Sequence, residues 1–315
     1  MTLAKIPTFT SARTGAAIPA SGFGSGSKHR IKKWENAEKT GEAPLDADIV
    51  DVSSNAIKAG FTHSDGAETY TTRGESALAV RNSGVPREQL WITDKFDQGW
   101  PHYDRKSPSP SGPRESVSKG LETFQMEYYD SFLIHAQFFR EDLVGLSIVE
   151  AWQQLEQCYE EGSVKNIGVS NFDVQHLQQI VDAAKYKPQV NQIEYNLYSQ
   201  NQTEGIADYC RKHEIQSEAY CPLTPILDAR INDENHPLKP VIREMADKYN
   251  VSPNILASRW VYQSGVIPIT TSSNFERMKQ TFQIFDFELS EKDFNTSKSI
   301  GQTYTVRTHF NQYFD

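Results

Sequence analysis

Long apolar runs are missing from this 315-residue chain, and none approaches the ~18 residues that a bilayer-crossing helix requires. Its first residues, MTLAKIPTFTSARTG, lack the charged and apolar regions of a secretory signal, so the expected compartment is the cytosol. Cysteine is scarce. Cys158, Cys210 and Cys221 are odd in number, far apart and form no CxxC pair, which argues against a disulfide framework and a zinc site, and no metal is expected. Positive charge is in deficit too: 32 Lys+Arg against 41 Asp+Glu leaves −9, a mean field that repels phosphate backbones and acidic membranes. Neither nucleic acid nor a membrane is therefore expected as a partner. The Asn-x-Ser/Thr matches at Asn201, Asn250 and Asn295 carry no weight in a chain that stays in the cytosol.

Two phosphate-binding signatures are absent as well. Gly22, Gly24 and Gly26 alternate, but Ser27 stands where G-x-G-x-x-G needs its last glycine, and Lys28 lacks the glycine that precedes it in a P-loop. An open doubly wound sheet usually announces its dinucleotide site in that way. These glycines read instead as a close-packed strand end and turn.

With 37% hydrophobic and 23% charged residues, the chain has the composition of a folded, soluble protein. Short runs rich in Val, Ile and aromatics alternate about eight times with helix-like segments. The expected strands are Ile18–Gly24, Phe61–Asp65, Leu90–Lys95, Tyr129–His135, Val164–Ser170, Gln189–Glu194, Ile215–Cys221 and Val266–Thr270. Ile148–Glu161 reads as a helix with Ile148, Trp152, Leu155 and Tyr159 on one face and Gly162 as its stop. Val174–Lys185 repeats that pattern, and Ser252–Pro253 begins another helix with a cap and a first-turn proline. Weaker helical spacing covers Asp48–Ala59, Gly74–Asn82, Arg114–Gln125, Thr203–His213, Leu238–Tyr249 and Asn274–Phe282. Eight parallel strands with crossover helices close most naturally into a single-domain α/β (β/α)₈ barrel spanning residues 1–315, with long loops at Trp100–Pro113 and Leu223–Pro237 on its catalytic face.

In such a barrel, chemistry concentrates where strands end. Asp65 ends the second expected strand in HSDGAETY, Tyr70 follows five residues on, Lys95 ends the third in WITDK, and His135 ends the fourth in FLIH. A tyrosine is a poor acid at neutral pH, and a neighbouring ammonium favours its ionised form. Asp65 would hold Lys95 by a charge-assisted hydrogen bond, and His135 would orient and polarise a substrate oxygen. Alone, an Asp–Lys pair is a salt bridge and a strand-end His is a core residue. Four ionisable types at the same end of three successive strands point to catalysis, namely an acid that protonates an alkoxide.

These segments resemble the aldo-keto reductases along almost the whole chain. HSDGAETY, WITDK and DSFLIH resemble the family's Asp/Tyr, lysine and histidine strands, and GSVKNIGVSNF, PQVNQIEYN and AYCPL its cofactor-facing strands in the same order. The resemblance implies Tyr70 as general acid, tuned by Lys95 and Asp65, with His135 directing the carbonyl. Side chains cannot donate hydride, so a nicotinamide cofactor is required, and the resemblance supplies NADPH. It assigns the carboxamide to Ser170, Asn171 and Gln192, the nicotinamide face to Tyr220, and further cofactor contacts to Gly24, Ser25, Cys221, Leu223 and Thr224. Near the 2′-phosphate the usual lysine is replaced by Thr271, while Ser272, Ser273, Asn274 and Arg277 remain, and a guanidinium binds phosphate well. NADPH is thus expected over NADH. Cys221 and Pro225 replace hydroxyl residues, and Gln280 and Thr281 replace an acid–amide pair expected at the adenine.

Gly26 and Ala136 occupy two positions that carry tryptophan at the family's substrate mouth. A wider pocket is expected unless Phe138, Phe139 or the C-terminal aromatics refill it. TTSSNFER, QIEYNLYSQNQT and EAYCPL look most like the fungal members that reduce conjugated polyketones, ketopantoyl lactone or α-keto amides. An aldose- or xylose-type or broad aldehyde reductase is the alternative. A nicotinamide-binding regulatory or structural protein with little turnover is the alternative from a different class. The tail, residues 301–315, carries Tyr304, Phe310, Tyr313 and Phe314 and is expected either to fold over the mouth or to cover the barrel wall.

Overall fold

The structure is a computed structural model that describes residues 6–26, 29–31, 33, 35, 45–227 and 237–314. Ser27, Lys28 and most of the loop expected before Pro237 lie outside the described residues. The described residues form ten strands: β1 (Thr8–Thr10), β2 (Ala17–Pro19), β3 (Gly22–Gly24), β4 (His63–Asp65), β5 (Trp91–Phe96), β6 (Ser131–Ile134), β7 (Ile167–Ser170), β8 (Val190–Glu194), β9 (Gln216–Tyr220) and β10 (Ile267–Thr270). Strands β3 to β10 close into one parallel barrel in sequence order, with β10 returning to β3. The expected (β/α)₈ architecture is therefore the observed one.

The first expected strand divides in two. Ala17–Pro19 turns back on Thr8–Thr10 as an antiparallel hairpin, pairing Phe9 with Ile18, and only Gly22–Gly24 enters the barrel. Pro19 has no N–H to extend a ladder. Gly22 leaves space for its neighbours: a Cβ there would come within 2.5 Å of Ile269 Cδ1 and 3.1 Å of His63 Nδ1.

Ile18, Trp91, Leu133, Val190, Ile267 and Ile269 form an apolar plug with Phe9 packed against it. Trp91, Val190 and Ile267 begin their strands, so the plug seals the end of the barrel where strands start. The barrel also holds a polar set, with His63, Asp65, Lys95, Gln192 and Glu218 all buried.

The main core lies between sheet and helices, built from residues such as Phe132, Ile167, Trp152, Leu177 and Trp260. The helix Ile148–Glu160 starts with a reciprocal Ser147–Glu150 capping box, and Asp173 and Ser252 cap Val174–Ala183 and Pro253–Gln263. Among the described residues, four helices have no sequence expectation: the four-residue Glu141–Val144, Thr224–Leu227 and Asn311–Phe314, and the longer Glu291–Gln302. The buried face of Glu291–Gln302 carries Asp293, Ser297 and Gly301, so the apolar period that reveals a helix is missing. Among the described residues no helix is long and apolar enough to cross a membrane.

Candidate active site

Asp65 is the last residue of β4, Lys95 lies in β5, and His135 follows β6 directly. Lys95 Nζ donates to both Asp65 carboxylate oxygens, at 2.7 and 2.8 Å, and to Gly66 O at 2.8 Å. Tyr70 ends the single 3₁₀ turn Glu68–Tyr70. That turn is pinned by Glu68, whose carboxylate accepts from the hydroxyls of Ser109 and Ser116 and from the N–H of Asp97. Lys95 Nζ is 5.5 Å from the Tyr70 ring centre. The His135 ring meets Tyr70 edge-on at 5.5 Å. All four expected catalytic residues thus converge at the strand ends.

Gly26 shapes the same place. A Cβ on it would sit 2.9 Å from the Tyr70 ring, so the absent side chain lets the loop lie directly on the phenol.

The electrostatics correct one expectation. Burial pushes the Tyr70 phenol up, and the Lys95 ammonium, which pulls it down, does not outweigh that. The tyrosine therefore rests as a neutral phenol, a proton holder rather than a tyrosinate. Burial opposes the charge on Lys95, but the Asp65 carboxylate more than restores it and holds the amine above its usual range. Burial, with Lys95, Arg30 and Arg105, holds His135 well below the usual imidazole range. It is a neutral ring whose Nδ1 is buried without a partner.

A second wall holds the residues assigned to the nicotinamide. Ser170 Oγ donates to Gln192 O at 2.8 Å. Asn171, in the left-handed region at φ 56°, donates through Nδ2 to His135 O and to Ser170 Oγ. Its Oδ1 accepts from the Tyr220 hydroxyl and from Gln202 Nε2, both at 2.8 Å. Gln192 directs its amide N–H groups inward to Asp65 and Glu218. Ser25 is buried, with its hydroxyl on Asp65 O, so its side chain faces the strand rather than a groove, while Gly24 beside it is half-buried. Cys221, at φ 53°, and Leu223 are half-buried, whereas Thr224 is buried in the short turn Thr224–Leu227. At the end of β10, Thr271, Ser273, Asn274 and Arg277 are exposed and Ser272 half-buried. Asn274 caps the helix Phe275–Gln280, and among the described residues the Arg277 guanidinium makes no ion pair.

The tail packs in two places. Tyr304 packs edge-on against Tyr198 on the barrel side. Phe310, by contrast, stacks on Trp100 at 5.4 Å, and Trp100 meets His135 at 5.4 Å. Tyr313 stacks on Phe138 at 4.0 Å, with Phe314 edge-on to the same ring. Phe139 turns instead toward the main core. The anchor is Glu194, wholly buried. It accepts from the N–H and hydroxyl of Thr308 and from the N–H of His309.

Trp100, Arg105, Glu194 and Glu218 carry no sequence expectation. Trp100 sits at the start of the Pro/Ser-rich loop placed on the catalytic face, the one local signal for it. Arg105 pairs with Asp97 at 2.6 Å and donates to Thr69, within the Tyr70 turn.

A family model described as the aldo/keto reductase family matches residues 33–302. An NADPH-dependent alpha-keto amide reductase of Saccharomyces cerevisiae is 34% identical over 309 residues, covering 97% of this chain and 95% of that protein. An NAD/NADP-dependent indole-3-acetaldehyde reductase of Schizosaccharomyces pombe is 31% identical over 298 residues, covering 94% and 96%. The crystal structure of an aldo/keto reductase from Brucella melitensis superposes with a TM-score of 0.73 at 28% identity, covering 94% of this chain and 100% of that one.

Proposed function

The chain belongs to the aldo/keto reductase family, and from that premise we propose that it is an NADPH-dependent carbonyl reductase whose preferred substrates are α-dicarbonyls, in the class of conjugated polyketones, ketopantoyl lactone and α-keto amides. The alpha-keto amide activity named for the Saccharomyces cerevisiae relative supports that substrate class. So does the chemistry: a second carbonyl draws electrons from the first and makes its carbon a better hydride acceptor.

The cofactor, when bound, supplies the hydride. The residues present fit it: Ser170, Asn171 and Gln192 meet on one wall with Tyr220 beside them, and an exposed Arg277, with no ion pair among the described residues, stands among Thr271, Ser272, Ser273 and Asn274. In this reading the first four hold the nicotinamide end, Gly24, Ser25, Cys221, Leu223 and Thr224 border the rest, and Arg277 takes the 2′-phosphate.

Tyr70 gives the proton. Its O–H bond breaks as the carbonyl oxygen takes up H⁺, and the charge left on the phenolate is stabilised by the Lys95 ammonium. Asp65 keeps that ammonium charged and in place. Neutral His135 steers the oxygen toward the phenol without competing for the proton. Trp100, Phe138, Phe310, Tyr313 and Phe314 form an aromatic wall that makes up for the tryptophans replaced by Gly26 and Ala136, and it suits a flat, conjugated ketone.

The observation that carries this reading is the saturated Lys95 ammonium 5.5 Å from the Tyr70 ring, with His135 on the ring's edge. NADPH oxidation with isatin, ethyl pyruvate, xylose and benzaldehyde tests it. Wild type should turn over the first two with the higher kcat/KM. Tyr70→Phe should lose roughly 10²–10⁴-fold in rate while still quenching on NADPH binding. Equal turnover by the variant removes Tyr70 from the role, and a preference for xylose removes the substrate class.

A further inference from the structure

One carboxyl group in the barrel interior takes no part in the chemistry above. Glu218, on β9, has no exposed surface. Its Oε2 accepts from Gln192 Nε2 at 2.9 Å, and the same nitrogen donates to Asp65 Oδ1 at 2.8 Å. A single amide thus ties Glu218 to the carboxylate that holds Lys95. Glu218 Oε1 is buried with no partner, and so is Nδ1 of His63. His63, Asp65 and Glu218 each present an atom within 4.8 Å of the others. A metal ion does not suit this cluster, because the Lys95 ammonium already lies 2.7 Å from Asp65 and would repel it.

The groups that face Glu218 can be named strand by strand. Asp65 and His63 come from β4, Lys95 from β5 and Gln192 from β8, while the β10 positions in register with Glu218 and Ala219 are apolar Ile267 and Pro268. His63 is neutral, since burial lowers it to about 4. Two carboxyls therefore share one ammonium. Burial, and then the Asp65 charge, push Glu218 up to about 7, so below neutrality the interior holds one carboxylate and one ammonium.

We propose that Glu218 is a proton-holding positioning residue for the reduction: linked through Gln192 to Asp65, it sets how much negative charge stands behind the Lys95–Tyr70 pair. While Glu218 keeps its proton, the phenolate formed at Tyr70 meets the full field of Lys95. Once Glu218 ionises, a second carboxylate offsets that field and the proton leaves the phenol against greater resistance. This inference rests on the assignment of Tyr70 as the donor.

The test is the pH profile of kcat/KM for isatin reduction by NADPH in wild type and in Glu218→Gln, which keeps the shape and cannot ionise. Wild type should fall roughly three- to tenfold as pH rises through neutrality, while Glu218→Gln stays within about twofold of its plateau. A second readout needs no turnover. The infrared difference between cofactor-free wild type and Glu218→Gln should contain a protonated-carboxyl band that fades over the same pH range. Thermal melting and NADPH fluorescence check that the variant is folded and loaded. If it does not fold, Glu218→Asp replaces it, and a displaced inflection is the expected result. The same inflection in wild type and variant, or no carboxyl band, overturns the proposal. Failure of the underlying reading looks different: Tyr70→Phe would go on reducing isatin while the band remains.

Discussion

Lys95 Nζ lies 2.7 and 2.8 Å from the two carboxylate oxygens of Asp65 and 2.8 Å from the carbonyl oxygen of Gly66, so all three ammonium protons have acceptors. The amine therefore acts on Tyr70 through its field. In its resting position it has no further proton to share with the phenol.

This pair is wholly buried, and breaking it from one side should show. Lys95→Met leaves the Asp65 carboxylate uncompensated and should destabilise the protein by about 3–5 kcal/mol in urea unfolding. Adding Asp65→Asn in the same chain removes the stranded charge, and much of that loss should return. Neither variant should reduce isatin at more than a small fraction of the wild-type rate. A double variant as unstable as the sum of the two singles would show that the two groups are not coupled.

Arg277 should discriminate between the two nicotinamide cofactors. Only NADPH offers a 2′-phosphate, and a hydrogen-bonded charge pair is worth roughly ten- to hundredfold in affinity. Arg277→Ala should weaken NADPH by that factor in a fluorescence titration and leave NADH within about twofold. Equal losses for both would move the phosphate elsewhere, with Ser272 and Ser273 as the nearest alternatives.

The tail should loosen with rising pH. Burial opposes the charge on His309, but Cys221 and Glu194 raise it from an ordinary 6.5 to about 10. A raised histidine stabilises the folded tail fully below its unfolded value, so the contribution is whole below about 6.5, declines through the alkaline range and is gone above about 10. Exchange of the amides at 306–310, corrected for intrinsic rates, should accelerate across that window in wild type and not in His309→Gln. A pH-independent tail in wild type would contradict the pairing.

The strand ladder was legible because each strand carries its Val/Ile run next to a polar loop, and the candidate site because Asp65, Lys95 and His135 stand at the ends of those runs. The terminal hairpin was not, since Thr8–Thr10 is three residues long and its partner reads as the start of the next strand. Glu194 and Glu218 escaped for a different reason. A carboxylate at an alternate strand position reads as a solvent-facing residue, and only barrel closure shows that these two point inward. The balance at Tyr70 was hidden for the same cause: the sequence names its charged neighbours but not the depth at which they meet, and depth decides whether burial or the ammonium wins.

The apolar plug under Phe9 and the aromatic wall around Phe310 stand at opposite ends of the barrel. A purification handle or fluorescent fusion attached before the hairpin would hang from the closed base, away from the candidate site. The same appendage attached after Phe314 would emerge beside the aromatic wall, where Phe138 and Arg307 already lie against Phe314.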